Sequence, residues 1–123
     1  MKLRINSSLT ALGAVLSLGA GPALAQAKVA NGMLTDAKGM TLYVFDKDAA
    51  GKSNCSGGCA AIWPPLAADE AAKPAANYTV IAREDGKKQV AYKGKPLYTW
   101  VKDQKPGDTT GDGVGGAWHI AKP

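Results

Sequence analysis

The feature that most constrains the fold is an internal repeat with a period of 55 residues. Tyr98 follows Tyr43 by 55 positions, and the same offset relates Trp63 to Trp118. Seven positions of the first half recur in this register: Gly39, Leu42, Tyr43, Phe45, Lys47, Asp48 and Gly58, as Gly94, Leu97, Tyr98, Trp100, Lys102, Asp103 and Gly113. A fixed period predicts that each repeat forms the same structural unit. We therefore expect two related halves, approximately 27–68 and 77–123, joined by an alanine-rich stretch at 67–76.

Short runs of β-branched and aromatic residues, bounded by turn formers, predict strands in both halves. The tyrosines lie in predicted strands at 41–45 and 97–101, and further strands are predicted at 29–34, 79–82, 89–92 and 117–120. Turns are predicted at 36–39, at Asp85 and Gly86, and at Lys93 and Gly94. The expected fold is mainly β: one small domain of two related antiparallel β halves, with long Gly and Asp loops and at most one or two short helices.

Side chains alternate between two faces along the tyrosine-bearing strands. Tyr43 and Phe45 share one face, as Tyr98 and Trp100 do. The other face carries Leu42 and Val44 in the first strand and Leu97, Thr99 and Val101 in the second. At least one face is expected to be core. Trp63 and Trp118 are expected to pack there rather than to bind a ligand, because so small a domain has few large side chains.

The N-terminal residues predict an exported protein. Two basic residues precede an apolar run at 9–18 that is too short to span a bilayer, and an Ala-Leu-Ala pattern for signal peptidase follows at 23–25. Residues 1–25 are therefore interpreted as a cleaved signal peptide, with cleavage after Ala27 as the alternative, and residues 26–123 as the mature domain. A periplasmic or secreted location is expected.

The expected mature domain has a mild positive charge. Removing Lys2 and Arg4 lowers the formal net charge of the chain from +5 to +3. The lysines are scattered among acidic residues, so a nucleic-acid partner is not expected. Gln26 stands where a lipoprotein needs a cysteine, so no stable membrane anchor is expected after cleavage.

Long loops follow the tyrosine-bearing strands at 46–62 and 102–116, and loops of this length are usually functional or pinned. The first contains the only two cysteines, Cys55 and Cys59. An exported protein normally oxidises such a pair, and a turn at the two glycines between them can bring the α-carbons within disulfide range. The default interpretation is a disulfide that shapes the loop and stabilises the fold by about 2 kcal/mol.

Copper binding is the main alternative for the cysteines. Two thiolates and an imidazole suit Cu(I), the Cys-x-x-x-Cys spacing is that of Sco-type copper chaperones, and the chain has one histidine. The alternative site is therefore Cys55, Cys59 and His119. A thioredoxin-like redox pair is weaker because it uses Cys-x-x-Cys, and haem attachment is excluded because Ala60 follows the second cysteine.

Calcium is a less favoured alternative. Five loop carboxylates offer oxygen ligands: Asp46, Asp48, Asp103, Asp108 and Asp112. Neither loop has the glutamate that an EF-hand requires at its twelfth position. Ordinary turn chemistry, in which Asp48 and Asp103 cap backbone amides at the strand ends, explains the carboxylates instead. The default expectation is therefore that the protein uses no cofactor.

Each half contains the motif Tyr-x-(Phe/Trp/Tyr)-x-x-Asp, formed by Tyr43, Phe45 and Asp48 and by Tyr98, Trp100 and Asp103. With the segments at 55–66, 85–98 and 106–118, these residues resemble the secreted-repeat proteins of unknown function, which are bacterial exported proteins and often lipoproteins. The resemblance covers nearly all of the expected mature domain. It implies the fold and an exported location, and it implies no activity.

The residues favour a non-catalytic function. The chain has one histidine, no serine in a nucleophile elbow and no glycine-rich cofactor motif, so it lacks a nucleophile and base pair. We expect a cell-envelope protein that is not an enzyme, a structural or binding module whose partner is an unknown envelope protein or ligand. The alternative is a periplasmic copper-binding or thiol-redox accessory protein that uses the Cys-x-x-x-Cys pair.

Overall fold

The computed structural model describes residues 27–68 and 76–123. Residues 1–25, interpreted as the signal peptide, lie outside the described residues, as does most of the alanine-rich stretch at 67–76. Within the described ranges, no helix is long and apolar enough to cross a membrane.

The described residues form a small mainly β domain, as predicted. Its strands are β1 (Lys28–Ala30), β2 (Met33–Thr35), β3 (Tyr43–Phe45), β4 (Tyr78–Ala82), β5 (Lys88–Tyr92), β6 (Lys95–Pro96) and β7 (Trp118–Ile120). They pair in three antiparallel sheets, β1–β2, β3–β7 and β4–β5–β6. A short helix, α1 (Gly58–Ile62), ends the first long loop, and a 3-10 helical turn (Val114–Gly116) ends the second.

The expected single strand at 29–34 is wrong, because this segment is the hairpin of β1 and β2. Asn31 and Gly32 adopt φ values of 54° and 77°. Two consecutive left-handed residues are what a tight two-residue hairpin turn requires, and Asn-Gly is its strongest sequence signal. The prediction overlooked a signal that the sequence contains.

The two hairpins predicted for the second half are confirmed. β4 pairs with β5 across a turn that contains Gly86, whose φ is 84°. Lys93 and Gly94, with φ values of 50° and 84°, then join β5 to β6.

Of the two predicted tyrosine-bearing strands, only the first is a strand. It is observed as β3, which is shorter than the predicted range 41–45. The prediction for 97–101 is wrong except at Tyr98, which forms isolated bridges with Tyr43 and Pro65.

A proline explains this difference between the halves. In the β3–β7 pair, Val44 lies opposite His119. At the corresponding place in the second half, the backbone N–H of Thr99 donates to Pro64 O over 2.8 Å. Proline has no N–H to return, so a continuous ladder cannot form there.

An approximate two-fold axis passes between the two motif tyrosines. The backbone N–H of Tyr43 donates to Tyr98 O over 2.8 Å, and the N–H of Tyr98 donates to Tyr43 O over 3.0 Å. Other backbone bonds repeat at the same offset: Leu66 to Leu97 with Ala121 to Leu42, and Val101 to Ile62 with Asp46 to Ala117. The two repeats therefore form equivalent structures that face each other.

Four stacked aromatic rings form the main core. Ring centroids are 4.2 Å apart between Phe45 and Trp118, 3.8 Å between Trp118 and Trp63, and 4.0 Å between Trp63 and Trp100. The outer rings are repeat partners of each other, as are the inner indoles, so the stack follows the two-fold axis. The motif tyrosines meet the inner indoles edge-on. Trp63 and Trp118 therefore pack in the core, as expected.

The opposite face of the tyrosine-bearing segments is buried as well. Leu42 and Leu97 precede the tyrosines and point away from the aromatic stack. They belong to a second, aliphatic cluster with Leu34, Val90 and Ala121. Both faces of these segments therefore contribute to the core around the tyrosines, which explains the apolar residues on both faces.

Gly111 lies where the aromatic core leaves no room for a side chain. A β-carbon at this position would lie 2.9 Å from Trp63 and 3.0 Å from both Trp100 and Tyr43. We expect Gly111→Ala to lower the free energy of unfolding by about 1–3 kcal/mol, because the rings must move apart. Urea denaturation of the purified domain measures this change.

Gly58 is the matched control. A β-carbon there would meet nothing within 4 Å, and the residue begins α1, where alanine is favoured over glycine. Gly58→Ala should therefore leave the stability unchanged or raise it. A Gly111→Ala protein as stable as the wild type would contradict the tight packing of this core.

Candidate functional site

The motif residues lie at the centre of the domain and bond across the two halves. Tyr43 Oη donates to Asp103 Oδ2 over 2.7 Å, and Tyr98 Oη donates to Asp48 Oδ2 over 2.7 Å. Each tyrosine therefore serves the aspartate of the other motif rather than its own. The aromatic residues of the motifs, at positions 45 and 100, form the two ends of the ring stack.

Each aspartate also closes the start of its own loop. Asp48 Oδ1 accepts the backbone N–H of Asn54 over 2.6 Å. Asp103 Oδ1 accepts the backbone N–H and the hydroxyl of Thr110 over 2.9 and 2.6 Å. Each aspartate thus uses one carboxylate oxygen to hold its own loop and the other to accept the tyrosine of the opposite half.

Burial raises the pKa of three motif side chains, those of Tyr43, Tyr98 and Asp48. Desolvation is the main cause that raises the pKa of Tyr43 and Tyr98 well above the ordinary value, and the bond to the opposite carboxylate raises it further. Both phenols therefore remain protonated donors at neutral pH. Desolvation also raises the pKa of Asp48 above its ordinary value of 3.8, against a lowering effect of the Asn54 N–H.

Arg83 links the first loop to the β4–β5 hairpin, a role that the sequence analysis missed. Its guanidinium donates to Ser53 Oγ over 2.9 Å, to Gln89 Oε1 over 2.8 Å and to Cys55 O over 2.6 Å. Ser53 Oγ is also hydrogen-bonded to Tyr98 Oη. The network therefore joins this arginine to one of the crossed pairs. The sequence contains one signal for this role, since Arg83 is the only arginine of the expected mature domain.

Cys55 and Cys59 form the predicted disulfide, with their α-carbons 5.2 Å apart. Cys55 is fully buried in the aromatic cluster, and Cys59 packs against the same cluster. The bond joins the middle of the first loop, at Cys55, to the first turn of α1. It therefore shapes the loop and is also part of the core.

His119 lies on the exposed side of β7, where its Nε2 is 2.7 Å from Asp46 Oδ2. The sulfurs of Cys55 and Cys59 are bonded to each other. Among residues 27–68 and 76–123, no three His, Cys, Asp or Glu side chains are grouped as a metal site requires. The structure does not gather the three residues of the copper alternative into one site.

The five loop carboxylates considered for calcium are engaged separately. Asp46 pairs with the histidine, and Asp48 and Asp103 serve the crossed pairs. Asp108 accepts two backbone N–H groups of its own turn, and Asp112 accepts a backbone N–H of β7. Each carboxylate is used by a nearby segment rather than collected around one point.

A surface groove runs beside β3. It consists of two adjoining cavities of about 350 and 270 Å³, which share Val44, Asp46 and Lys95 as lining residues. One cavity extends along the first loop to Lys93, and the other extends along β7 to Lys122. We call this surface, bordered by Lys93, Lys95 and Lys122, the lysine groove. A separate cleft of about 580 Å³ lies between α1 and the β4–β5 turn.

The crossed motifs and the shared ring stack define a tandem-repeat domain whose two units complete one core. Residues 26–67 and 79–122 match the family described as a secreted repeat of unknown function, and the chain belongs to this family. The match confirms the resemblance and the presence of two repeats. The family is described as secreted, which supports an exported protein. No curated protein and no solved structure matched the chain.

The raised pKa of Asp48 leads to a prediction about stability and pH. Because folding raises this pKa, the contribution of Asp48 to stability is fully present below the ordinary value of 3.8 and is lost as the pH rises through the folded pKa. Asp48→Asn removes this dependence. We expect the stability of the variant relative to the wild type to improve as the pH rises from about 3 to about 6, as measured by urea denaturation at each pH.

Asp108 is a control of opposite sign, because the backbone N–H of Gln104 is the main cause that lowers its pKa. Its contribution to stability is present above the ordinary value of 3.8 and is lost as the pH falls through the folded pKa. The relative stability of Asp108→Asn should therefore worsen as the pH rises over the same range. Two variants that respond in the same direction would contradict these electrostatic assignments.

Proposed function

We propose that the protein is a non-catalytic binding module of the bacterial cell envelope, periplasmic or secreted, whose two long loops form its working surface. The crossed tyrosine–aspartate bonds are the observation that carries this proposal. They fix the start of each loop to the opposite half, so a rigid core presents irregular segments to solvent. Binding sites are frequently built on loops that a rigid scaffold positions.

Contacts farther along the loops support the same proposal. In the first loop, the backbone N–H of Gly51 donates to Gly94 O over 2.7 Å. In the second, Pro106 lies against Gly39, where an added β-carbon would be 3.2 Å away, and Thr41 Oγ1 donates to Asp108 O over 2.7 Å. Each loop is therefore seated on a turn of the other half. Such preorganised loops lose little conformational entropy when they bind.

The use of the buried polar groups supports a role without catalysis. The phenols of Tyr43 and Tyr98 and the carboxylates opposite them are bonded to each other. Tyr43 and Tyr98 are fully buried, and burial raises the pKa of both phenols. A general base or nucleophile instead needs a pKa near the working pH and access to substrate.

Co-sedimentation with purified bacterial envelopes tests the proposal. We expect the wild-type domain to sediment with the envelopes and to release no soluble fragments from them. Tyr98→Phe removes one crossed bond, so the domain should lose about 1–3 kcal/mol of stability, remain folded and bind several-fold more weakly because its first loop is less ordered.

Tyr78→Phe is the matched control, because Tyr78 lies in β4 and the change keeps the ring that packs against Tyr92. It should bind envelopes like the wild type. A wild-type domain that stays in the supernatant would overturn the proposal. Equal retention of all three proteins, with each shown to be folded, would contradict the role of the loops.

The copper or thiol-redox alternative makes a different prediction. Both sulfurs are engaged in the disulfide, so protein exported and purified without reductant should contain no titratable thiol. We also expect the reduced protein to lose a competition for Cu(I) against a strong chelator. Tight one-to-one Cu(I) binding by the reduced protein, abolished by Cys55→Ser, would favour the alternative over the binding module.

A further inference from the structure

The lysine groove departs from the symmetry that the core obeys. Core residues such as Tyr43 and Trp63 recur after 55 positions, but most groove residues do not. Lys93 corresponds to Lys38 and Asp48 to Asp103, whereas four other polar groove residues are replaced: Asp46 by Val101, Lys95 by Met40, His119 by Pro64 and Lys122 by Ala67. The groove chemistry therefore belongs to one side of the domain and is not required by the shared scaffold.

The ammonium groups of the groove have no carboxylate partners in the described ranges. The contact between His119 and Asp46 is the only close pairing of a basic with an acidic side chain found there. Lys93, Lys95 and Lys122 are exposed. Lys93 Nζ lies 5.3 Å from the centre of the Tyr92 ring, a contact that leaves its charge uncompensated.

The carboxylates that line the groove are already engaged. Asp46 contacts His119 over 2.7 Å. Asp48 accepts bonds from Tyr98 and from the backbone of Asn54. The three exposed lysines outnumber these two carboxylates, so the groove keeps a net positive charge that attracts anions.

The shape and lining of the groove favour an elongated ligand. Its two cavities adjoin at Val44 and Lys95 and extend in different directions from there. Tyr92 and Ile120 add apolar surface to the second cavity, against which the flat faces of sugar rings can pack. Charged groups at its rim and apolar surface within it suit a polymer of sugars that carry anionic groups.

We infer that the lysine groove binds an extended anionic glycan, a chain of sugars bearing phosphate, carboxylate or sulfate groups. This inference rests on the proposed binding function and names the ligand class of one surface beside the first loop. Lys93, Lys95 and Lys122 bind the anionic groups, while Val44 and Tyr92 contact the sugar rings.

Titration with dextran sulfate, using neutral dextran of equal length as the control polymer, tests the inference. We expect the domain to bind dextran sulfate, with an affinity that falls as salt is added, and not to bind neutral dextran. The combined Lys93→Ala, Lys95→Ala and Lys122→Ala variant should lose affinity by on the order of tenfold or more. Inorganic sulfate at the same charge concentration should not displace the polymer.

The matched control is the combined Lys38→Ala, Lys87→Ala and Lys88→Ala variant, which removes the same charge from exposed positions outside the groove and outside both long loops. It should lose less than about twofold in affinity, because none of these lysines lines the groove. Equal losses in the two variants would mean that net charge alone drives binding and would overturn the inference.

Two further outcomes separate this inference from the proposed function. A domain that sediments with envelopes but binds neither polymer, and whose groove variant sediments like the wild type, would overturn the glycan site and leave the binding module standing. Tighter binding to single-stranded DNA than to dextran sulfate of equal charge would overturn the choice of a glycan.

Discussion

The two hydrogen bonds that cross between the repeats make each half depend on the other. A buried polar group without a partner costs about 1–3 kcal/mol, and Tyr43 and Tyr98 find their carboxylates only in the opposite motif. The ring stack has the same property, since Phe45 lies on Trp118 and Trp100 lies on Trp63. One half alone can neither satisfy its polar groups nor close its core. The two repeats therefore form one domain.

The two halves differ in how their long loops are held against the core. The first loop is held by Arg83 and by the disulfide at Cys55, neither of which has a counterpart in the second. The second loop instead places Gly111 against the ring stack, too close for any side chain. Neither way of holding a loop disturbs the two-fold symmetry of the aromatic core. Differences of this kind, outside the shared core, are where two repeats of one fold can acquire separate roles.

The parts of the fold that local chemistry determines could be predicted from the sequence. Turns at Gly86 and Gly94, the repeat itself and the disulfide all depend on residues close in the chain or on a simple period. The crossing of Tyr43 to Asp103 could not be predicted, because the partners are 60 positions apart and an intact motif suggests a local pair. The interrupted ladder at Pro64 likewise depends on which segment lies opposite, which only the tertiary structure decides.

The core and the lysine groove are mechanically connected through the first loop. Lys93 and Lys95 flank Gly94, whose carbonyl accepts the N–H of Gly51 from this loop. The same loop begins at Asp48, which Tyr98 holds from the centre of the domain. The wall of the groove is therefore fixed by the bond that joins the two halves. A groove held in this way keeps its charges in position before a ligand arrives, which lowers the entropic cost of binding. In the proposed binding module the crossed bonds act by holding this geometry, because the phenols of Tyr43 and Tyr98 are fully buried.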